Sequence, residues 1–268
     1  AYYSHRSQDK DIPASYVATS QPAAITPQQS MARGYRADAA DVWIRAVFPY
    51  GRIEAEAAVM WATIDQPSLI PGVMLRDPLK SRQIGAALES DLHTSNDVFG
   101  GGLDGGYASG DRAPGFGAYP PASTGAGAAG ELEGPQANPP YDRRVDNFRF
   151  HPDYRVDRIL FREIIGSVTD AVYVRPHARM RLFQIGPGAL TASIAAVAAW
   201  AVQPASTPNN KNALGIEIDP TLTYRHKDGF ACALEHAVLL PGAAFDNPSQ
   251  HLSARTAQVF RVRMIFAF

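Results

Sequence analysis

Apolar and polar residues alternate along most of this chain with a period of two, the pattern of β-strands that present one apolar and one polar face. The last stretch, 258–268, shows it most plainly: Phe260, Val262, Met264, Phe266 and Phe268 share one parity, and Arg261 and Arg263 fall on the other. Near the start, Val42, Ile44, Ala46 and Phe48 alternate with Asp41, Trp43 and Arg45. Pro49-Tyr50-Gly51 then supplies a tight turn, Pro presetting φ and Gly tolerating positive φ. Beyond it Ile53, Ala55, Ala57, Val59 and Trp61 alternate with Arg52, Glu54, Glu56, Ala58 and Met60, which predicts a hairpin. Residues 81–92 read as a strand with Ile84, Ala86 and Leu88 opposite Ala87, Glu89 and Asp91. A turn at 94–97 leads to 98–109, where Phe99, Leu103 and Tyr107 share a parity among many glycines. Glycines in a strand mark a bend or a close approach. A barrel corner is the expectation here, with a folded-in loop as the alternative.

In the second half, Val172, Val174, Pro176, Ala178, Met180 and Leu182 oppose Tyr173, Arg175, His177, Arg179 and Arg181. After Gly186-Pro187-Gly188 comes the alanine-rich run 189–201, assigned as a strand with a helix left open. Leu214, Ile216, Ile218, Leu222 and Tyr224 oppose Glu217, Asp219, Thr221, Thr223 and Arg225. A turn at 227–229 follows, and then Phe230, Cys232, Leu234 and Val238 oppose Ala231, Ala233 and Glu235. Residues 1–7 make a further partial strand. The period changes only once, at 155–165, where Val156, Ile159, Leu160, Glu163 and Ile164 fit a short amphipathic helix that would cap or constrict a barrel mouth.

The connections sort by length. Working back from the C-terminus, short turns at 227–229, 186–188, 94–97 and 49–51 fall on one side. Long loops at 241–254, 203–212, 110–153, 65–80 and 11–30 fall on the other, and 110–153 is rich in Gly and Pro. A soluble sheet with one wet face fits the alternation equally well but has no reason to sort its loops. A transmembrane barrel does, with short periplasmic turns, long extracellular loops and roughly ten strands, an even number. Phe48, Trp61, Trp200, Tyr224, Phe230 and Phe268 lie near expected strand ends, as two aromatic girdles would require.

Composition narrows the classes. The chain has 268 residues, 46% of them hydrophobic, and a net charge of -1; its mean hydropathy is -0.18. No apolar run of about 20 residues exists, so a transmembrane helix is excluded, whereas alternation keeps the hydropathy of a barrel low. The balanced charge gives no support for a nucleic-acid partner. The lone Cys232 excludes an internal disulfide and a cysteine-rich metal site. The start at Ala1-Tyr2-Tyr3 has no charged or apolar leader, so any signal peptide has been removed or lies outside this sequence.

Residues 147–157 (NFRFHPDYRVD), 160–164 (LFREI) and 171–177 (AVYVRPH) resemble a recurring block of a family of uncharacterised myxobacterial outer-membrane proteins. Residues 108–117 (ASGDRAPGFG) resemble a second block of it. That family is distantly similar to the alginate-export type of outer-membrane channel, and the resemblance runs from about residue 85 to the C-terminus. It implies a barrel fold and an outer-membrane location, not a substrate. Its members are usually longer, which implies further strands, on this or another chain, as the alternative to a closed ten-stranded barrel. The apolar parity Phe260, Met264, Phe266 and Phe268 resembles the C-terminal signal read by the bacterial outer-membrane assembly machinery.

The candidate chemistry lies on the polar parity. Arg175, His177, Arg179 and Arg181 on one strand, with Arg261 and Arg263 on another, form a basic ladder able to guide an anionic solute. Facing them are Glu54, Glu56, Glu89, Asp91, Asp104, Glu217, Asp219 and Glu235. Confined charges of both signs pair with one another, so salt-bridging is the preferred reading and an anion path the alternative. Glu235 is expected opposite Arg261 or Arg263. No catalytic residue is assigned: His236 faces the lipid parity without a matching serine or carboxylate, and His151-Pro152-Asp153 reads as a cap for the helix that follows, with Asp157 nearby. No metal or cofactor is expected. The reading is a single-domain, all-β antiparallel transmembrane barrel of the bacterial outer membrane with one short helix in a long extracellular loop. It would act as a channel for hydrophilic solutes, anionic ones included, or as a non-conducting anchor for an envelope complex. Expected partners are the lipid bilayer and lipopolysaccharide, the assembly machinery, and a further barrel segment or envelope protein.

Overall fold

The alternation becomes one antiparallel sheet. The computed structural model describes residues 1–11, 30–66, 78–117 and 143–266. Its ten strands are β1 (Tyr2–Asp11), β2 (Met31–Phe48), β3 (Gly51–Ile64), β4 (Leu79–His93), β5 (Phe99–Ala108), β6 (Ala171–Ile185), β7 (Gly188–Ala201), β8 (Ala213–His226), β9 (Phe230–Pro241) and β10 (Ala257–Phe266). Sheet order equals chain order, an up-and-down meander. β1 pairs with β2 and β10 with β9, and among the described residues the two edges do not meet. The all-β antiparallel architecture therefore holds, while the sheet is open rather than closed on itself. Phe268 lies outside the described residues, as do residues 12–29, 67–77 and 118–142 of three expected loops. No helix among the described residues is long and apolar enough to cross a membrane.

One face carries an apolar band across β2 to β10. Ile44, Ile53, Leu88, Leu103, Val174, Ile194, Ile216, Leu234 and Phe260, one from each of β2 to β10, are between 42% and 68% exposed. Exposed apolar surface running across many strands marks a face that contacts a protein partner or a membrane. The opposite, inner face carries the charged parity; residues 143–146 run along the edge of β4 and residues 148–170 fold onto the inner face. There Phe150, Val156, Ile159, Leu160, Phe161 and Val168 pack against Tyr173, Val197, Ala199, Leu214, Ala237 and Leu239. Each fully buried large apolar side chain contributes about 1.5–3 kcal/mol. The alanine-rich run is a strand, and its inward residues Ala195 and Ala199 are buried. Their small side chains leave room for the loop.

Four expectations change. Strand β2 starts at Met31 rather than at residue 41, because Arg36 and Asp38 on the outer parity end the apolar alternation without ending the backbone ladder. The glycines of β4 and β5 mark close approach, not a corner: a Cβ on Gly85 would enter the Phe148 ring, and one on Gly106 the Tyr173 ring. The helix expected over 155–165 is only one wide, π-type turn, Leu160–Ile165, lying against the sheet. Finally, Leu214 was expected to share the lipid-facing parity of Ile216 but is fully buried on the inner face. A bulge at Gly215, where φ is 130°, shifts the register so that Ala199 faces Gly215 while Trp200 faces Ala213. One extra residue in a ladder turns the preceding side chain to the other side.

Candidate functional site

The inner face brings together the folded-in loop and the charges of β6, β8, β9 and β10. Glu217 is fully buried and accepts the backbone N–H groups of Arg158, Ile159 and Leu160, each at 2.8 Å. Asp157 accepts those of Phe161 at 2.8 Å and Arg162 at 3.2 Å. These two carboxylates satisfy the donors that the start of a helical turn leaves unpaired. The capping carboxylate is thus Asp157, not Asp153, whose backbone N–H instead donates to His151 Nδ1 at 3.2 Å. Arg158 reaches into the wall. It donates to Thr221 Oγ1 at 2.6 Å and to the His236 carbonyl at 3.3 Å, and lies 3.8 Å from both Asp219 and Glu235.

The six residues of the basic ladder are all engaged. Arg175 donates to Asp104 at 2.5 Å, and His177 Nε2 lies 3.1 Å from the Ser90 carbonyl and 3.5 Å from Asp104. Asp104 also accepts the Ser90 N–H, where Ser90 Oγ bonds the Leu103 backbone. Side chains here replace rungs between β4 and β5, whose pairing skips from Leu88–Gly105 to Leu92–Gly101. Arg179 donates to Asp97 at 2.8 Å and Arg181 to the Asn96 carbonyl at 2.6 Å. Arg261 is in register with Glu235 and lies 3.7 Å from Glu163, while Arg263 donates to Glu235 at 2.9 Å. The pairing with Arg179 holds the Asp97 carboxyl below the usual carboxylate range.

Apart from Asp104, the acidic residues divide into two groups. Glu217, Asp219 and Glu235 surround Arg158. Glu54, Glu56, Glu89 and Asp91 lie across the sheet on β3 and β4, where Arg52 reaches Glu54 at 2.5 Å and Glu89 at 3.6 Å, and Trp43 Nε1 donates to Glu54 at 2.9 Å. Two cavities run along the basic side. One, of about 570 Å³, is lined by seven arginines and three carboxylates, Asp157, Asp219 and Glu235. The other, of about 610 Å³ at the short-turn end, gathers Arg179, Arg181, Arg225 and Lys227 with Thr191, Thr223 and the single carboxylate Asp97. Both share Arg179 and Ser193, so they adjoin. Along β6 to β8 the inner face thus presents two adjoining cavities in which cationic side chains outnumber carboxylates.

The sequence did not point to Arg158 or to Lys227 as partners of this face. Lys227 sits in a turn, and Arg158 in the folded-in loop, where no strand parity applies. His236 is on the apolar parity of β9, with Phe260 opposite it. Among the described residues no three His, Cys, Asp or Glu side chains are placed to hold a metal ion.

Loop docking should respond to pH. Burial, reinforced by the Glu217 charge, pushes the Asp157 carboxyl up to about 7; burial likewise raises Asp170 to about 7, against hydrogen bonds from Ser206 and the Gln203 N–H. Between the ordinary value of 3.8 and about 7 the folded state binds more protons at these groups than the unfolded state does. Their contribution to stability therefore falls as pH rises through that window. Amide exchange across 157–165 should be slower at pH 5 than at pH 8, and Asp157→Asn with Asp170→Asn should flatten the difference. An unchanged pH response in the double variant would assign it to other groups.

No protein-family model matches this sequence, and a search of curated proteins finds no match to it.

Proposed function

We propose that this chain forms the wall of a bacterial outer-membrane channel for hydrophilic solutes, anionic ones included, belonging with the myxobacterial outer-membrane proteins its sequence resembles. The observation that carries this reading is the inverted polarity of the sheet: apolar side chains exposed on the outer face of β2 to β10, and charges, cavities and a folded-in loop on the inner one. A bilayer-spanning barrel needs that arrangement. In hydrocarbon every strand edge must be paired, so insertion requires β1 and β10 to pair with each other or with further strands. The folded-in loop then narrows the lumen, and the cation excess on β6 to β8 favours anions.

A non-conducting anchor is the second reading, favoured by the engagement of all six ladder residues and by the loop packed across β6 to β9. Planar-bilayer recordings separate the two. The channel is expected to conduct with anion preference, and Arg181→Glu with Arg225→Glu and Lys227→Glu should move the reversal potential toward cation preference. Unaltered selectivity would refute the anion path. Absence of conductance, even with the loop released, would leave the anchor.

A further inference from the structure

We propose that the outer face carries, just beyond its apolar band, a binding site for the phosphomonoester headgroup of a lipid. This inference rests on the membrane reading above and deepens it. Pairing registers place residues in rows across the outer face. Arg36 faces Thr63, Thr63 faces Lys80, and Lys80 bridges to Arg144. In the adjacent row Asp38 faces Trp61 and Trp61 faces Arg82. With strands about 4.8 Å apart, the Arg36 and Lys80 backbones are about 10 Å from each other, a span that two long side chains close around one phosphate.

The cations are unspent. Arg36, Lys80 and Arg82 are exposed, and among the described residues no carboxylate lies within 4.0 Å of any of them. The two nearby carboxylates are already occupied. Asp38 accepts from Tyr3 at 2.6 Å and lies 2.8 Å from His5 Nδ1, and Asp146 accepts from Arg144 Nε at 2.7 Å and from the Arg82 backbone N–H at 2.8 Å. Arg36, Lys80, Arg82, Asp38 and Asp146 line a hollow of about 390 Å³ beside the Trp61 ring. Immediately along the same strands, Ala40, Val59 and Ile84 form the first apolar row, continued by Val42, Ala57 and Ala86. A phosphate bound at the cations therefore has its acyl chains directed onto the apolar band, with Trp61 at the level where aromatics meet headgroups. A free phosphate would use the cations but leave the adjoining apolar rows without a role.

The test uses the purified chain in zwitterionic detergent. Flotation with phosphatidylcholine vesicles reports membrane integration, and native mass spectrometry from mixed phosphatidylcholine and phosphatidic acid micelles reports headgroup preference. The wild type is expected to integrate and to retain phosphatidic acid about tenfold over phosphatidylcholine, a preference lost in Arg36→Gln/Lys80→Gln/Arg82→Gln. Inorganic phosphate at millimolar concentration is expected not to displace the lipid. Integration without a wild-type preference overturns the headgroup site alone, as does a preference that survives the triple substitution. Displacement by inorganic phosphate overturns the lipid source. Failure to integrate into any vesicle overturns the membrane reading and this site with it.

Discussion

Replacing Glu217 with alanine is expected to free the folded-in loop from the sheet. Three backbone N–H groups, those of Arg158, Ile159 and Leu160, end on this one carboxylate at 2.8 Å each, and the side chain has no exposure to solvent. Without it those donors stay buried and unpaired, at about 1–3 kcal/mol apiece, and Arg158 loses part of its negative surroundings. Removing one member of such a buried charged network costs on the order of 3–5 kcal/mol. That exceeds what one well-buried apolar side chain of the loop contributes, so the loop should open locally while the strand ladder persists. Hydrogen exchange of residues 158–165 should accelerate strongly in Glu217→Ala. Glu217→Gln, which keeps one acceptor oxygen, should show an intermediate effect. Exchange unchanged from the wild type would mean that apolar packing alone holds the loop. In bilayers the same variant should conduct more than the wild type if the loop narrows a channel.

Arginine placed on the outer face should have opposite consequences in water and in a bilayer. Leu88 and Val174 are 46% and 42% exposed in the middle of the apolar band. In water, Leu88→Arg or Val174→Arg would be nearly neutral and would improve solubility. At the midplane of a bilayer each would cost about 2–4 kcal/mol. Ser193→Arg, on the inner parity beside both cavities, serves as the control. Denaturant titration of protein folded into vesicles should show the outer-face variants destabilised by that amount and the inner-face variant much less. Equal stability across all three would remove the membrane reading and the channel proposed from it.

Much of the architecture was legible because strand parity is a local property. Successive side chains point to opposite faces whatever the rest of the chain does, so Phe260, Val262, Met264 and Phe266 had to share a side, and Arg261 and Arg263 the other. Hairpin turns such as Pro49-Tyr50-Gly51 then carried the parity into the next strand, which is why Arg45 and Glu54 emerge in register. The site was only half legible. Glu217 and Asp219 were placed on the inner face, but their use by the loop backbone was not visible, because backbone N–H groups leave no mark in a residue pattern. Arg158 was hidden for the same reason: a loop has no parity from which to infer what it faces.

The sequence alone therefore determined where the centres of the strands lie and which face most of their residues take, through the two-residue repeat of extended backbone. Tertiary structure decided the rest. It turned Leu214 inward through the bulge at Gly215, seated 148–170 on the inner face through apolar contacts and the Glu217 acceptor, and, among the described residues, left β1 and β10 unpaired with each other. Each of these depends on groups far apart in the chain meeting in space, and such encounters are set by the summed packing and hydrogen bonding of the whole sheet, not by any local repeat.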